Sequence, residues 1–363
     1  GRTAGTEIFV IVQGEDHQIL KINRQIRHWI TGRRHVAGRG DIQEHVEIRV
    51  GRDRVVRHGQ FAELIAEVNA AIRGIYQALK DTGIIVPIQA QVTLDTTGRM
   101  LLGTDIAAVL AILEGMGIDV IGLNCSTGPD FMREPIRYLG AHSTLPVSCI
   151  PNAGLPMNVD GQAVYPMLPE PFARELLEFV TEFKINVVGG CCGTTPDHIR
   201  LLADLLKGVP QNPRPVHRVP ELASAVEAVP MQQEPAPFLI GERLNTQGSA
   251  RFKKLMLADD YESSLELARQ QLEDGAHGLD VCVALTERTD ETDMMRRLVK
   301  LLSPSIRAPF VIDTTEPDVL ESALQAAPGR CLVNSTNLES GRKKLDNVFS
   351  LAKAYNAAVI CLT

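Results

Sequence analysis

Two adjacent cysteines, Cys191 and Cys192, sit between glycines in the run Val187-Val188-Gly189-Gly190-Cys191-Cys192-Gly193-Thr194-Thr195-Pro196. On a regular strand, neighbouring side chains point to opposite faces. At a strand end, with glycine on both sides to free the backbone, both sulfurs can turn to one point. Such a point suits a soft metal ion, and Cys125, in Ile121-Gly122-Leu123-Asn124-Cys125, offers a third thiol. The residues alone leave two other readings open: buried thiols, or a vicinal disulfide at the pair. A second set carries different chemistry. Asn245, Asp280, Asp313 and Asn334 each fall where an expected strand ends. Gathered at the carboxyl mouth of a (β/α)8 barrel, they would pair with the donor-rich edge of a heterocycle, a carboxylate accepting two N–H bonds at once. The alternative for each is a cap on the following helix.

These residues need elements to position them. Phe61, Leu64, Ile65, Val68, Ile72, Ile75 and Leu79 follow helical spacing. Ile84–Val92 reads as a strand, as do Asp119–Cys125, Leu145–Ile150 and Ile185–Gly190. Thr104 is the expected cap of a helix facing inward through Ile106, Val109, Leu110 and Leu113. A helix from about Pro171 carries Phe172, Leu176, Phe179 and Phe183 on one side. Thr195 caps a closing helix with Pro196 in its first turn and Ile199, Leu202, Ala203 and Leu206 as its buried stripe. Near-continuously apolar strands alternating with helices predict a parallel sheet covered by helices.

The stretch 209–237 holds seven of the chain's 21 prolines and reads as an extended, semi-rigid linker. Beyond it the alternation resumes, with strands expected at Phe238–Glu242, Gly278–Val283, Pro309–Asp313, Cys331–Asn334 and Ala357–Leu362.

At 363 residues the chain is long enough for two domains, with 44% apolar and 22% charged residues. A net charge of −7 argues against nucleic acid or an anionic membrane as the main partner. No apolar run approaches the ~20 residues of a membrane span. Seven cysteines, an odd number, do not form a secreted disulfide framework, and a cytoplasmic location is expected. Residues 1–60 differ from the rest. They carry 11 Lys and Arg against 7 Asp and Glu, five of the nine histidines and the only tryptophan, Trp29. Ile8–Val12 is the one strand expected there.

Ile121–Pro129 (IGLNCSTGP) and Val188–His198 (VGGCCGTTPDH) resemble the homocysteine-binding domain of the homocysteine S-methyltransferases. Ile240–Asn245 (IGERLN), Leu279–Arg288 (LDVCVALTER), Ile312–Glu316 (IDTTE) and Val333–Leu338 (VNSTNL) resemble the pterin-binding domain that follows it in the cobalamin-dependent methionine synthase family. The resemblance runs from about residue 61 to the last residue, broken only by the linker. It implies two (β/α)8 TIM-barrel-type domains in tandem: a homocysteine-binding domain at 61–208 and a pterin-binding domain at 238–363. It also implies Cys125, Cys191 and Cys192 as zinc ligands, three thiolates with one position left open for substrate. Homocysteine becomes a thiolate there and takes a methyl group from methylcobalamin, which a separate cobalamin-binding domain holds. The second domain holds 5-methyltetrahydrofolate as methyl donor, with Asp280, Asp313, Asn334 and Asn245 as pterin contacts. Cys149, Cys282, Cys331 and Cys361 are expected as core cysteines, and His198 as a surface or outer residue rather than a fourth ligand.

Two departures shape the remaining expectations. Residues 1–60 show no match to the family's Asp-Gly-Ala loop, so this segment is expected to be foreign to the family or misread. A full barrel needs about 250 residues, so both barrels are expected to be incomplete. One competing reading is a homocysteine methyltransferase fused to a folate-dependent oxidoreductase, against which IDTTE and VNSTNL argue. The other is an inactive metal-binding fragment.

Overall fold

The computed structural model describes residues 9–12, 47–48, 72–76, 80–81, 87–211, 213–339 and 341–362, the strands at 9–12 and 47–48 by their backbone only. Most of 1–60, and most of the helix expected from Phe61, lie outside the described residues. The chain divides into two compact units. The first contains Pro87–Leu101 and Asp119–Arg218 with the two N-terminal strands, and the second contains Leu102–Ile118 and Val219–Thr363.

The first unit is built on six parallel strands: β1 (Phe9–Val12), β2 (Glu47–Ile48), β3 (Gln89–Val92), β4 (Val120–Asn124), β5 (Val147–Ile150) and, past a short hairpin of β6 (Met157–Val159) and β7 (Gln162–Val164), β8 (Val187–Gly190). Their order is β1-β8-β5-β4-β3-β2. The strand expected at Ile8–Val12 is therefore present as β1, paired with β8, the strand that the cysteine pair follows. Every residue of β5 and β8 is buried, as continuously apolar strands in a covered parallel sheet must be. Gly122 is required where β4 passes β5, because a Cβ there would lie 2.2 Å from the Ser148 carbonyl oxygen.

Among the described residues, three helices belong to this unit: α2 (Pro129–His142), α3 (Pro169–Glu182) and α4 (Pro196–Leu205), each with proline at its start. Phe172, Leu176 and Phe179 are fully buried along α3, and Phe183 ends that helix as its C-cap. Helix α1 (Ile106–Leu113) lies in the second unit, and its cap differs from the expected one. Asp105 is the N-cap and accepts from Ala108 N–H at 2.8 Å, while the Thr104 hydroxyl donates to Ala225 O at 2.8 Å.

The second unit contains a five-stranded parallel sheet in simple sequential order: β11 (Ile240–Asn245), β12 (Gly278–Cys282), β13 (Phe310–Asp313), β14 (Leu332–Thr336) and β15 (Ala358–Cys361). All five strands expected from the sequence are there. Helices α5 (Ala250–Leu257), α6 (Ser263–Glu273), α7 (Glu291–Leu302), α8 (Pro317–Ala326) and α9 (Arg342–Ala354) alternate with them. One sheet face, through Leu244, Leu279, Val281, Ile312 and Val333, packs on the helices. The other face carries Val311 and Leu332 in a lower layer, covered by Leu222.

Leu222 comes from the segment expected as an extended linker. Part of that segment is instead an antiparallel hairpin, β9 (Glu221–Ala223) with β10 (Ala228–Pro230). Ala223 N–H donates to Arg330 O at 3.1 Å, and Gly329 must lack a side chain because its Cβ would lie 1.9 Å from Ala223 O. Apolar burial and backbone pairing therefore override the extended preference of the prolines. Among the described residues, no helix is long and apolar enough to cross a membrane.

Candidate functional site

The three cysteines meet at the carboxyl end of the first sheet. Strand β4 stops at Asn124, and Cys125 and Ser126 both adopt left-handed backbone angles (φ 57° and 65°), which turns the chain sharply and aims Cys125 back across the strand ends. Cys125 N–H donates to Ile150 O at 3.0 Å, and Cys191 N–H to Pro151 O at 2.8 Å, so both cysteine peptides are tied to the end of β5. Cys192 N–H donates to Asn152 Oδ1 (3.2 Å), and Cys192 O accepts from Ala153 N–H (2.9 Å). Thr194 closes the turn from below, its hydroxyl donating to Cys191 O at 2.7 Å.

The Cys125 and Cys192 sulfurs are 3.7 Å apart and those of Cys191 and Cys192 are 3.8 Å apart, with all three within 4.8 Å of one another. A disulfide needs about 2.05 Å, so these are free thiols. Two thiolates at about 2.3 Å from a tetrahedral zinc ion stand about 3.8 Å apart, so the separations fit that ion. All three cysteines are half-buried. Hydrogen bonding to Cys125 and Cys192, with burial behind it, pushes the Cys191 thiol far up, and Cys192 is raised chiefly by Cys125. Three clustered thiols resist ionising together, and a cation among them reverses that preference.

His198 lies outside the cluster, as expected of a residue that is not a fourth ligand, but it is buried (5% exposed) rather than on the surface. Its Nδ1 accepts from Thr195 N–H at 3.1 Å, and its Nε2–H donates to Met167 O at 2.9 Å. Cys149, Cys282 and Cys331 are buried as expected, with burial pushing Cys282 up to about 11 and Cys331 to about 12. Cys361 is exposed, contrary to expectation, because it lies on the outermost strand of its sheet.

In the second unit Asn245, Asp280, Asp313 and Asn334 form one hydrogen-bonded network. Asn245 Nδ2 donates to Asp280 Oδ2 (2.9 Å) and to Asp313 Oδ2 (2.8 Å), and Asn334 Nδ2 donates to Asp280 Oδ1 (3.2 Å). Asn245 Oδ1 accepts from Gln247 N–H at 2.8 Å, which fixes which way its amide faces. The helix-cap alternative fails, since the N-caps of α5, α7, α8 and α9 are Ser249, Asp290, Glu316 and Gly341. Asp280 is 2% exposed, and burial raises its carboxyl above the usual range against the pull of Asn245 and Asn334. Burial raises Asp313 likewise. Asn245 and Asp313 end β11 and β13 as expected, whereas Asp280 and Asn334 lie mid-strand in β12 and β14. Two carboxylates and two amides so placed can accept and donate along the edge of a flat, polar heterocycle.

Residues 61–206 match the family described as Homocysteine S-methyltransferase, and residues 241–363 match the family described as Pterin binding enzyme. The two matches follow one another in that order along the chain. The homocysteine S-methyltransferase match contains all three clustered cysteines, and the pterin-binding match contains the whole carboxylate–amide network. The chain is also 41% identical over 302 residues to the methionine synthase of Mycobacterium tuberculosis, and 41% identical over 307 residues to that of Mycobacterium leprae. Each match covers 82% of this chain and 25% of the relative, so the chain spans about a quarter of their length.

Sequence reasoning missed Asn152, Thr194 and Tyr165 around the thiols. Asn152 stands just past a strand end, a position that could have been noticed. Tyr165 reaches the site only through the path of the loop that carries it.

Proposed function

We propose that this chain is the thiol-activating and folate-binding portion of a methyltransferase of the methionine synthase type. The two domains are then 61–208 and 238–363, joined by 209–237, and their sheets are arcs of (β/α)8 barrels. The observation that supports this best is the set of sulfur separations, 3.7 and 3.8 Å, at the carboxyl end of the first sheet. Cys125, Cys191 and Cys192 hold zinc, and their half-buried setting leaves one side for substrate. Zinc, when bound, supplies the positive charge that keeps a substrate thiol ionised at neutral pH. The left-handed turn at Cys125 and the Asn152 and Thr194 contacts fix the sulfurs, so little reorganisation is needed when homocysteine arrives. In the second domain Asp280, Asp313, Asn334 and Asn245 bind and orient the pterin of 5-methyltetrahydrofolate. The methyl group that homocysteine accepts would come from methylcobalamin held by a cobalamin-binding domain.

Calorimetric titration with homocysteine tests the reading. The zinc-loaded chain is expected to bind it and release about one proton per molecule, the thiol proton. Equal binding by chain stripped of metal with a chelator would overturn it.

A further inference from the structure

One face of the first sheet is polar towards its carboxyl end. Strand alternation and register assign the faces. Leu123 pairs with Cys149, and the Cys149 sulfur lies 3.8 Å from that of Met132 in α2, so these two point to the helices. Gln91, Gly122 and Ser148 share the opposite face, and one step further along so do Asn124 and Ile150. On that face Gln91 Nε2 donates to Ser148 Oγ at 2.9 Å, and Gln89 Nε2 donates to the same oxygen at 3.3 Å. Asn124 stands beyond them as the last residue of β4, immediately before Cys125, and is only 6% exposed. The Thr93 hydroxyl donates to Asn124 Oδ1 at 3.2 Å. That bond engages the amide oxygen, while no acceptor among the described residues meets the amide nitrogen. A buried amide with its donor side unused is costly unless a ligand completes it.

The carbonyls next to the thiols are already engaged. Cys125 O accepts from Thr127 N–H at 2.8 Å, Cys191 O from the Thr194 hydroxyl at 2.7 Å, and Cys192 O from Ala153 N–H at 2.9 Å. Gln89, Gln91, Thr93, Asn124 and Ser148 are all neutral. What this face offers a ligand beside the cysteines is therefore an N–H donor, and an anionic acceptor makes the strongest bond to it.

We infer that Asn124 receives the carboxylate of the amino-acid thiol, its side-chain N–H donating to that group while the substrate sulfur sits at the cysteines. This rests on the reading that the three cysteines hold a metal ion to which homocysteine binds. Because Asn124 and Cys125 are consecutive, the contacts to head and sulfur are held at a fixed spacing by one peptide unit. Thr93 keeps the amide turned so that its nitrogen, not its oxygen, meets the substrate. A leucine at 124 would continue the apolar run of β4 but could not tell one thiol from another.

The full chain loaded with cobalt(II) serves as the probe, since a further thiolate on the ion changes its charge-transfer absorption. It is titrated with homocysteine, with 4-mercaptobutanoate, which keeps the carboxylate alone, and with 3-mercaptopropylamine, which keeps the amine alone. Asn124→Leu is expected to weaken the first two by roughly tenfold and to leave the third unchanged. Thr93→Val leaves the amide in place but unheld, and should act in the same direction by a smaller factor. It carries the test if the leucine variant takes up no cobalt. Equal weakening of all three thiols would overturn the inference, since it would mean that Asn124 only supports the fold. Unchanged affinities for the two carboxylates would overturn it too. Wild-type chain that takes up cobalt but binds none of the thiols would instead overturn the substrate reading beneath it.

Discussion

The thiol site and the carboxylate–amide site occupy equivalent places, the carboxyl ends of parallel strands, but they are built differently. The four polar residues of the second unit stand on the strands themselves, in a sheet of strictly sequential order, and they satisfy one another through Asn245 and Asp280. The thiols also lie in contact, 3.7 and 3.8 Å apart, but none of them stands on a strand. Their arrangement depends on two left-handed residues after β4, on glycines at 190 and 193 that leave no room for a side chain, and on a loop that folds back over the pair. A site made by register tolerates loss of a neighbour better than one made by turns. A site made by turns, in exchange, can bring adjacent residues of one strand to a single point.

Gly193→Ala should break that comparison most severely. The added methyl meets Tyr165 and must adopt a left-handed angle, together about 3 kcal/mol of strain. That corresponds to roughly 100-fold weaker zinc binding by chelator competition, with pterin binding by the second unit unchanged. Asp280→Ala leaves the Asn334 amide and one Asn245 donor without their partner, at about 2–3 kcal/mol of stability in the second unit. Methyltetrahydrofolate affinity should fall with it while zinc content stays at wild type, as calorimetry and metal analysis would show.

The smallest effect concerns pH. A carboxyl raised by burial favours the folded state while protonated, so that contribution is full below the ordinary value of 3.8 and is lost as pH rises through the folded value. Asp313→Asn removes the loss. Its amide oxygen can still accept from Asn245. The variant should therefore be more stable than wild type at pH 7, by up to about 1 kcal/mol once the solvent reaching this half-buried group is allowed for, and the two should converge towards pH 4 in thermal unfolding. Asp280→Asn should show no such gain, because both oxygens of Asp280 already accept amide donors and one would be replaced by a donor.

How much of this was legible in the sequence follows from the same contrast. The five strands of the second unit are short apolar runs with a polar residue at or near the end, so strand and site could be read together. The pair at Cys191 and Cys192 was legible because glycine flanked it, and Cys125 because it closed another apolar run. What escaped notice depends on tertiary contact. Helix α2 carries Pro135 inside it, which masked the Met132, Ile136 and Leu139 stripe that buries it. The cap of α1 moved from Thr104 to Asp105 because the Thr104 hydroxyl bonds a carbonyl more than a hundred residues away. The β9–β10 hairpin was hidden among prolines, its register set by Leu222 burial and by the backbone of Arg330. Residue 198 read as a histidine either at the surface or just behind the thiols, and the return of the 151–168 loop, through the Met167 carbonyl, buries it.

The most direct test of the central claim is the metal content of the purified full chain beside its Cys191→Ser variant. The account predicts about one zinc per wild-type chain and almost none in the folded variant, because a hydroxyl in place of one of three thiolates no longer completes the site. A folded wild-type chain that takes up no zinc when zinc is supplied, or a variant that binds it as well as wild type, would contradict it.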